Sequence, residues 1–151
     1  MLVGVISDTH GLLRPEALST LAEVEHILHA GDVGDFGILR RLGEIAPVTA
    51  IRGNVDVNGE CAELPETEAV ELGGRLFYLV HSVRDLDLHP VVAGMSAVVS
   101  GHSHKAGVAW RDGVMYLNPG SAGPRRFSLP VTVALVTVSE VGVGAVIQEL
   151  R

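Results

Sequence analysis

Only one cysteine, Cys61, occurs among 151 residues. An internal disulfide is thereby excluded, and a reducing, cytoplasmic compartment is expected. Basic residues are also few: 11 lysines and arginines stand against 18 aspartates and glutamates, a net charge of −7 with histidines neutral. A non-specific nucleic-acid binder needs a basic face, so that class is excluded. A phosphate substrate is not, because bound cations would offset several carboxylates. No apolar run reaches the roughly 18 residues that a membrane helix needs, and no membrane partner is expected. The N-terminus has no basic flank and runs directly into an apolar strand, unlike a signal peptide. Repeats, low-complexity tracts and long linkers are absent, so residues 1–151 read as one domain with one core. What the chain has in excess is apolar side chains, 47% of the total, with a mean hydropathy of +0.35. That surplus predicts apolar surface buried between subunits, hence a homo-oligomer.

LVGVI (2–6) reads as a short buried strand. RPEALSTLAEV (14–24) places a proline near a helix N-terminus and has helical spacing at Leu18, Leu21 and Ala22. EHILHA (25–30) predicts a strand, FGILRRLGEIA (36–46) a helix stopped by Pro47, and VTAIR (48–52) another strand. This βαβαβ alternation implies parallel strands with helical crossovers. The second half differs. EAVELGGRLFYLVH predicts two strands around Gly73-Gly74, and GVAWRDGVMYLN two around Asp112-Gly113. VTVALVTVSEVGVGAVIQEL supplies two long strands around Gly142, LHPVVAGM a short helix at best, and SAVVSG a strand. The chain is expected to be parallel α/β first and mostly antiparallel β later, with two sheets face to face and helices outside.

Five polar clusters each follow a strand-like run: SDTHG (7–11), AGDVGD (30–35), RGNVD (52–56), VHS (80–82) and SGHSH (100–104). Ligands of α/β sheets bind beyond the carboxyl ends of strands. Loops meeting at one such edge would gather Asp8, His10, Asp32, Asn54, His81, His102 and His104. Each cluster alone is no more than a turn signal. Together they make an oxygen and imidazole donor set without thiolate, which suits Mn²⁺, Fe²⁺, Co²⁺, Ni²⁺ or Zn²⁺ better than Ca²⁺. So many donors fit two ions about 3.5–4 Å apart with a bridging carboxylate better than one ion.

The ordered set D-x-H, G-D, G-N, H and G-H-x-H resembles the signature of the calcineurin-like metallophosphoesterases. SDTHG, HAGDV, GNVD, GHSH and NPGS, with the short length, resemble the compact branch of small bacterial and archaeal phosphodiesterases, which also includes the retromer scaffold subunit. The resemblance implies a four-layer αββα sandwich of two mixed sheets flanked by helices. It implies two divalent transition-metal ions, manganese first among them. Asp8, His10 and His104 would hold one, Asn54, His81 and His102 the other, and Asp32 would bridge. It also implies in-line attack on phosphorus by a hydroxide between the metals, with Asp32, Asn54 and His102 as the catalytic set. The substrate would be a small phosphoester, with nucleotides among the candidates. The same fold without catalysis, as a scaffold, is the alternative.

Two positions depart from the pattern. Val55 stands where many larger members carry a histidine that serves as leaving-group acid, and Ser82-Val83 replaces the Gly-His that commonly follows the fourth-motif histidine. Asp56 could orient a ligand or cap its own loop. Asn118 and Ser121 in NPGS are expected to support the GHSH loop by hydrogen bonds, and direct phosphate contact is the alternative. Arg125 and Arg126 could contact an anionic substrate or lie in solvent or at a subunit contact. His26 and His29 read as structural, His89 as exposed, and Trp110 and Tyr116 as packing or interface residues.

Overall fold

The computed structural model describes residues 1–151. Strand β1 (Leu2–Ile6) leads through helix α1 (Pro15–Thr20) to β2 (His26–His29), and helix α2 (Phe36–Gly43) leads on to β3 (Val48–Ala50). β1, β2 and β3 pair in parallel, as the alternation predicts. Both helices are shorter than expected. After Thr20 the N–H groups of Ala22 and Val24 turn to the i−3 carbonyls of Ser19 and Leu21, so the last turn is too tight for an α-helix. Glu25 is then pinned to β1 by its N–H on the Leu2 carbonyl and its carboxylate on the Leu2 N–H, which ends the crossover. In α2 the same i−3 bonding sets in at Glu44 and Ile45, just ahead of Pro47. The start of α2 is capped by Asp35, whose side chain accepts from Gly37 N at 2.9 Å.

The second half forms β4 (Thr67–Leu72), β5 (Arg75–Val80), β6 (Met95–Val99), β7 (Gly107–Arg111) and β8 (Val114–Asn118). These make a sheet of order β4-β5-β6-β8-β7. It is less antiparallel than expected: β4–β5 and β7–β8 are hairpins, but β5–β6 and β6–β8 are parallel. Both hairpin turns have positive φ at two residues, +57° and +79° at Gly73-Gly74, +50° and +79° at Asp112-Gly113, as two-residue turns require. The expected short helix at 88–95 is a turn. Ala93 N reaches His89 O and Met95 N reaches Pro90 O, and then Gly94, at φ +75°, breaks the run. β9 (Thr132–Ser139) and β10 (Gly142–Glu149) return to the first sheet, whose order is β10-β9-β1-β2-β3.

The main core lies between the sheets, where Val3, Val5, Leu28 and Val136 meet Phe77, Leu79, Val99 and Leu117. Alternate residues of β1 and β2 face the other way: Ile6 and Ile27 pack with Leu21 beside α1 and with Ile38, Leu39 and Leu42 of α2. Outside the second sheet, Tyr78, Val80 and Val98 are covered by Leu86 and Leu88 from the segment after β5, which holds only a 3-10 turn at Val83–Asp85. The architecture is therefore an α/β sandwich of two mixed five-stranded sheets with few helices. No helix is long and apolar enough to cross a membrane. Trp110 is half exposed on edge strand β7, and Arg111 stacks on Tyr116 at 5.0 Å.

His29 is fully buried at the end of β2. Its Nδ1 accepts from Gly31 N (3.2 Å), so Nε2 carries the proton and donates to Thr9 Oγ1 (3.0 Å), which itself donates to Val33 O (2.9 Å). Burial lowers its pKa from 6.5 to about 4. The unfolded chain then takes up this proton first, so the contribution to stability is complete above about pH 6.5 and is lost as pH falls toward 4. His29→Gln should flatten the stability profile in that window by up to about 3 kcal/mol. Denaturant melts of metal-free wild type and variant between pH 4 and 7 check this, and parallel profiles would contradict it.

Candidate metal centre

All five polar clusters begin where a strand stops, after β1, β2, β3, β5 and β6, which point the same way within each sheet. Backbone bonds prolong the pairing into the loops. Asp8 N donates to Gly31 O (3.0 Å), His10 N to Asp32 O (2.9 Å) and Gly101 N to His81 O (2.9 Å). Within those loops Asp8, His10, Asp32, His102 and His104 all adopt left-handed backbone, with φ between +46° and +69°. Aspartate and histidine tolerate this region better than most residues, yet it persists only where the surroundings hold it. Two glycines leave room for the carboxylates. A Cβ on Gly53 would lie 2.1 Å from Asp32 Oδ1, and one on Gly101 2.4 Å from Asp8 Oδ2.

Each buried carboxylate has one oxygen tied to the protein and one left facing imidazoles. Asp8 Oδ2 accepts from Ser7 Oγ (2.8 Å) and His102 N (3.1 Å). Asp8 Oδ1 lies 3.4 Å from His104 Nε2, 3.8 Å from His10 Nε2 and 3.9 Å from His81 Nε2. Asp32 Oδ1 accepts from Val55 N (3.0 Å), while Oδ2 lies 3.2 Å from His81 Nε2 and 3.4 Å from His10 Nε2. Asp8 Oδ1, His10 Nε2, His81 Nε2 and His104 Nδ1 are buried without a hydrogen-bond partner. Such atoms are rare and call for an ion or water. Donors about 2.0–2.2 Å from a shared cation stand roughly 3–4 Å from one another, which is the spacing seen. The residues therefore fit divalent metal. Asp8, His10 and His104 form one tight group, and Asp8, Asp32 and His81 another. Asn54 and His102 stand at the exposed rim, joined by a 3.3 Å contact between Asn54 Oδ1 and His102 Nδ1, and His102 packs edge-on against His81 at 5.2 Å.

The electrostatics agree with that division. Burial pushes the Asp8 carboxyl up, against the opposing Ser7 hydroxyl and His81. Burial also works against the Asp32 carboxylate, but His81, the Val55 N–H and the charge of His10 outweigh it and bring it to about 2. His81 is raised: the two carboxylates and the Ala30 carbonyl overcome its burial. Its Nδ1 donates to Ala30 O at 2.7 Å, which fixes the ring with Nε2 turned to the carboxylates. His104 is lowered by burial and by nearby Arg126.

Asp56 accepts from Val33 N (3.1 Å), Gly34 N (3.0 Å) and Gly53 N (2.9 Å). It thus caps its own loop and also ties it to the Asp32 loop, without touching a candidate ligand's side chain. Asn118 supports the GHSH loop through Gly101 O (3.0 Å) and Ser103 Oγ (3.1 Å). Ser121 differs from expectation: it donates to Asp8 O (3.0 Å) and so braces the first loop, because the chain after Asn118 has crossed to β1. Arg125 is exposed and makes no ion pair, and Arg126 is the arginine whose charge reaches His104. Sequence reading passed over Ser7 and Thr9, whose hydroxyls serve the site. Ser7 serves its own neighbour Asp8, whereas Thr9 acts through Val33, 24 residues away, which no local spacing marks.

A model of the calcineurin-like phosphoesterase superfamily domain matches residues 1–141. The chain belongs to that superfamily. It is similar to a probable metallophosphoesterase of Methanothermobacter thermautotrophicus, 33% identical over 147 residues that span 89% of this chain and 85% of that one. Among solved structures, an archaeal phosphodiesterase matches with a TM-score of 0.75 at 22% identity, covering 98% of this chain and 100% of that one. Vps29 from Entamoeba histolytica, in a structure with Zn²⁺, matches with a TM-score of 0.74 at 21% identity and full coverage of both chains. These two likenesses show the shared fold. Family membership supports a metal-dependent phosphoesterase, and the two groups above are its candidate metal-binding residues.

Asp56→Asn would face three backbone donors with one acceptor oxygen fewer. Metal affinity should fall about 10–100-fold with secondary structure retained. Calorimetric metal titration with circular dichroism checks this. Unchanged affinity would mean that the two loops hold their positions without the carboxylate.

Proposed function

We propose that the protein is a binuclear metal-dependent phosphodiesterase. The observation that carries this reading is the convergence of the Nε2 atoms of His10, His81 and His104 on Asp8 and Asp32, with the first two and Asp8 Oδ1 lacking any hydrogen-bond partner, in a chain of this superfamily. Asp8, His10 and His104 would hold one ion, Asn54, His81 and His102 the other. Asp32 Oδ2, which faces imidazoles of both sets at 3.2 and 3.4 Å, would lie between them. Manganese heads the candidates, with iron, cobalt, nickel and zinc behind it. The zinc in the Vps29 structure supports metal on this fold, and the archaeal phosphodiesterase supports a diester substrate.

When bound, the ions supply Lewis acidity, lowering the pKa of water and offsetting charge on phosphoryl oxygens. The chain supplies the rest. Asp8 and Asp32 place two negative charges where little water competes. The Ala30 carbonyl keeps the proton of His81 on Nδ1 and leaves Nε2 free. Exposed Asn54 and His102 stand where a phosphoryl group arriving from solvent would meet them, and their polar groups can orient its oxygens in line with attack. The second reading is a non-catalytic protein-interaction module, which the likeness of fold to Vps29 supports.

Hydrolysis of bis(p-nitrophenyl) phosphate with added Mn²⁺, Ni²⁺ or Co²⁺ separates the two. The enzyme reading expects metal-stimulated turnover that Asp32→Asn lowers by about a thousandfold or more, since that change removes a negative charge shared by both metal sets. No stimulation by any of these metals favours the interaction module.

Leaving-group chemistry gives a further expectation. Val55 is aliphatic and half exposed beside Asn54, and the cleft next to it contains no histidine other than the candidate ligands His81 and His102. General acid catalysis typically contributes about 10²–10⁴-fold, and here no free imidazole provides it. Across diesters of rising leaving-group pKa at saturating metal, the rate should fall steeply. A flat series with chemistry rate-limiting would show that a proton donor serves the site after all.

A further inference from the structure

A cleft of about 430 Å³ opens beside Asn54, His81 and His102, within the usual range for small-molecule sites. Arg52, Glu66, Arg84 and Asp85 line other parts of it, and Val80 is its one hydrophobic lining residue. A second cleft of about 230 Å³ shares Ser82, Arg84 and His102 with the first and adds the hydroxyls of Ser100 and Ser103. Arg84 thus borders both spaces at the rim of the metal centre.

Most of the charge in the larger cleft is already committed. Arg52 donates to Glu66 at 2.8 Å and to Ala62 O at 3.0 Å, and Asp87 accepts from Tyr78 Oη. Arg84 and Asp85 belong to none of the chain's ion pairs. Their backbone is nevertheless well held. Asp85 N donates to Ser82 O (2.9 Å), Leu86 N donates to Val83 O (3.2 Å), and Leu86 and Leu88 pack on Tyr78, Val80 and Val98. A fixed turn therefore presents one uncommitted donor fork and one uncommitted acceptor to the cleft that His102 also lines.

We propose that these clefts take an uncharged, polyhydroxylated substituent of the ester, of glycerol or sugar type, and that Arg84 with Asp85 selects it. The proposal rests on the phosphoesterase reading of the same site. A nucleobase or aryl group needs an apolar or aromatic face to stack on; the rings lining this cleft, His81 and His102, are candidate metal ligands, and Val80 is its one hydrophobic residue. A second anionic group would meet Glu66, Asp85 and Asp87 with only the Arg84 charge free to receive it. A cationic group could pair with Asp85, the uncommitted carboxylate, only beside the unpaired charge of Arg84. Hydroxyls both donate and accept, so a polyol can take hydrogen bonds from the Arg84 fork, give them to Asp85, and do either with the serines.

The test is calorimetric binding of four monoesters to the metal-loaded protein: glycerol 1-phosphate, ethyl phosphate, phenyl phosphate and phosphocholine. Glycerol 1-phosphate should bind at least about tenfold more tightly than each of the others. In Arg84→Ala that preference over ethyl phosphate should collapse to about twofold or less, with metal content unchanged. Arg84→Lys, which keeps the charge but loses the fork, should retain part of it. Asp85→Asn reads the same ratio if Arg84→Ala does not fold. Equal affinities, or a preference for phenyl phosphate or phosphocholine, would overturn the proposal, as would a glycerol preference that survives Arg84→Ala. Hydrolysis of bis(p-nitrophenyl) phosphate by the same preparation tests the underlying reading separately. Turnover without the glycerol preference sinks the subsite alone, and the preference without turnover sinks the phosphoesterase reading and leaves a binding site.

Discussion

Two carboxylates, Asp8 and Asp32, are buried within reach of the same His10 and His81 nitrogens. Burying one ionised carboxylate is costly, and burying two side by side adds like-charge repulsion. Hydrogen bonds to Ser7, His102 N and Val55 N satisfy one oxygen of each. The other two oxygens face imidazoles at 3.2–3.9 Å, too far or too poorly aligned for the protein to satisfy them alone. In the metal-free chain the two carboxylates and the Ala30 carbonyl raise the pKa of His81, which favours a proton there. Divalent cations would satisfy both oxygens, displacing the proton as they bind. The rest of the fold can be understood as holding this charge pair in place.

Holding it requires unusual backbone. Left-handed φ at five of the donor residues costs local conformational energy. The return comes from sheet geometry. Loops after parallel neighbouring strands start side by side, so their first N–H and C=O groups continue the ladder and fix the turn that follows. Asp56 then ties two of these loops through three N–H groups, and Ser121 and Asn118 tie two others from the chain leaving β8. None of these supporting residues touches the space between the carboxylates.

How much of this could be read in the sequence follows from the range of each interaction. The strands were legible because their apolar runs and two-residue turns are local. The donor residues were legible because each sits at the end of such a run, and five ends in order are hard to explain by turns alone. Helix length was not legible at Leu21 or Ile45, since the contacts that cut α1 and α2 short depend on where the chain must enter the next strand. The parallel pairing of β5, β6 and β8 is not legible for a similar reason. A hairpin announces itself by its turn, whereas a crossover through 82–94 carries no residue pattern of its own. The loop that Ser121 braces is not legible, because its partner lies 113 residues earlier in the chain.

Burial divides the donor set in a way that its chemistry alone does not. Asp8, Asp32, His81 and His104 are nearly closed to solvent, while Asn54 and His102 stand at the rim above them. Buried donors with fixed second contacts favour tight, permanent retention of an ion. Rim donors, held by one 3.3 Å contact to each other, can adjust as a ligand arrives. The rim is also where the chain departs from the common motif pattern, at Val55 and at Ser82-Val83. The inner group is constrained by two buried charges and tolerates little change. The rim is constrained only by what it must receive, and it is there, beside Arg84, that members of one superfamily can come to differ in substrate while sharing the same metal chemistry.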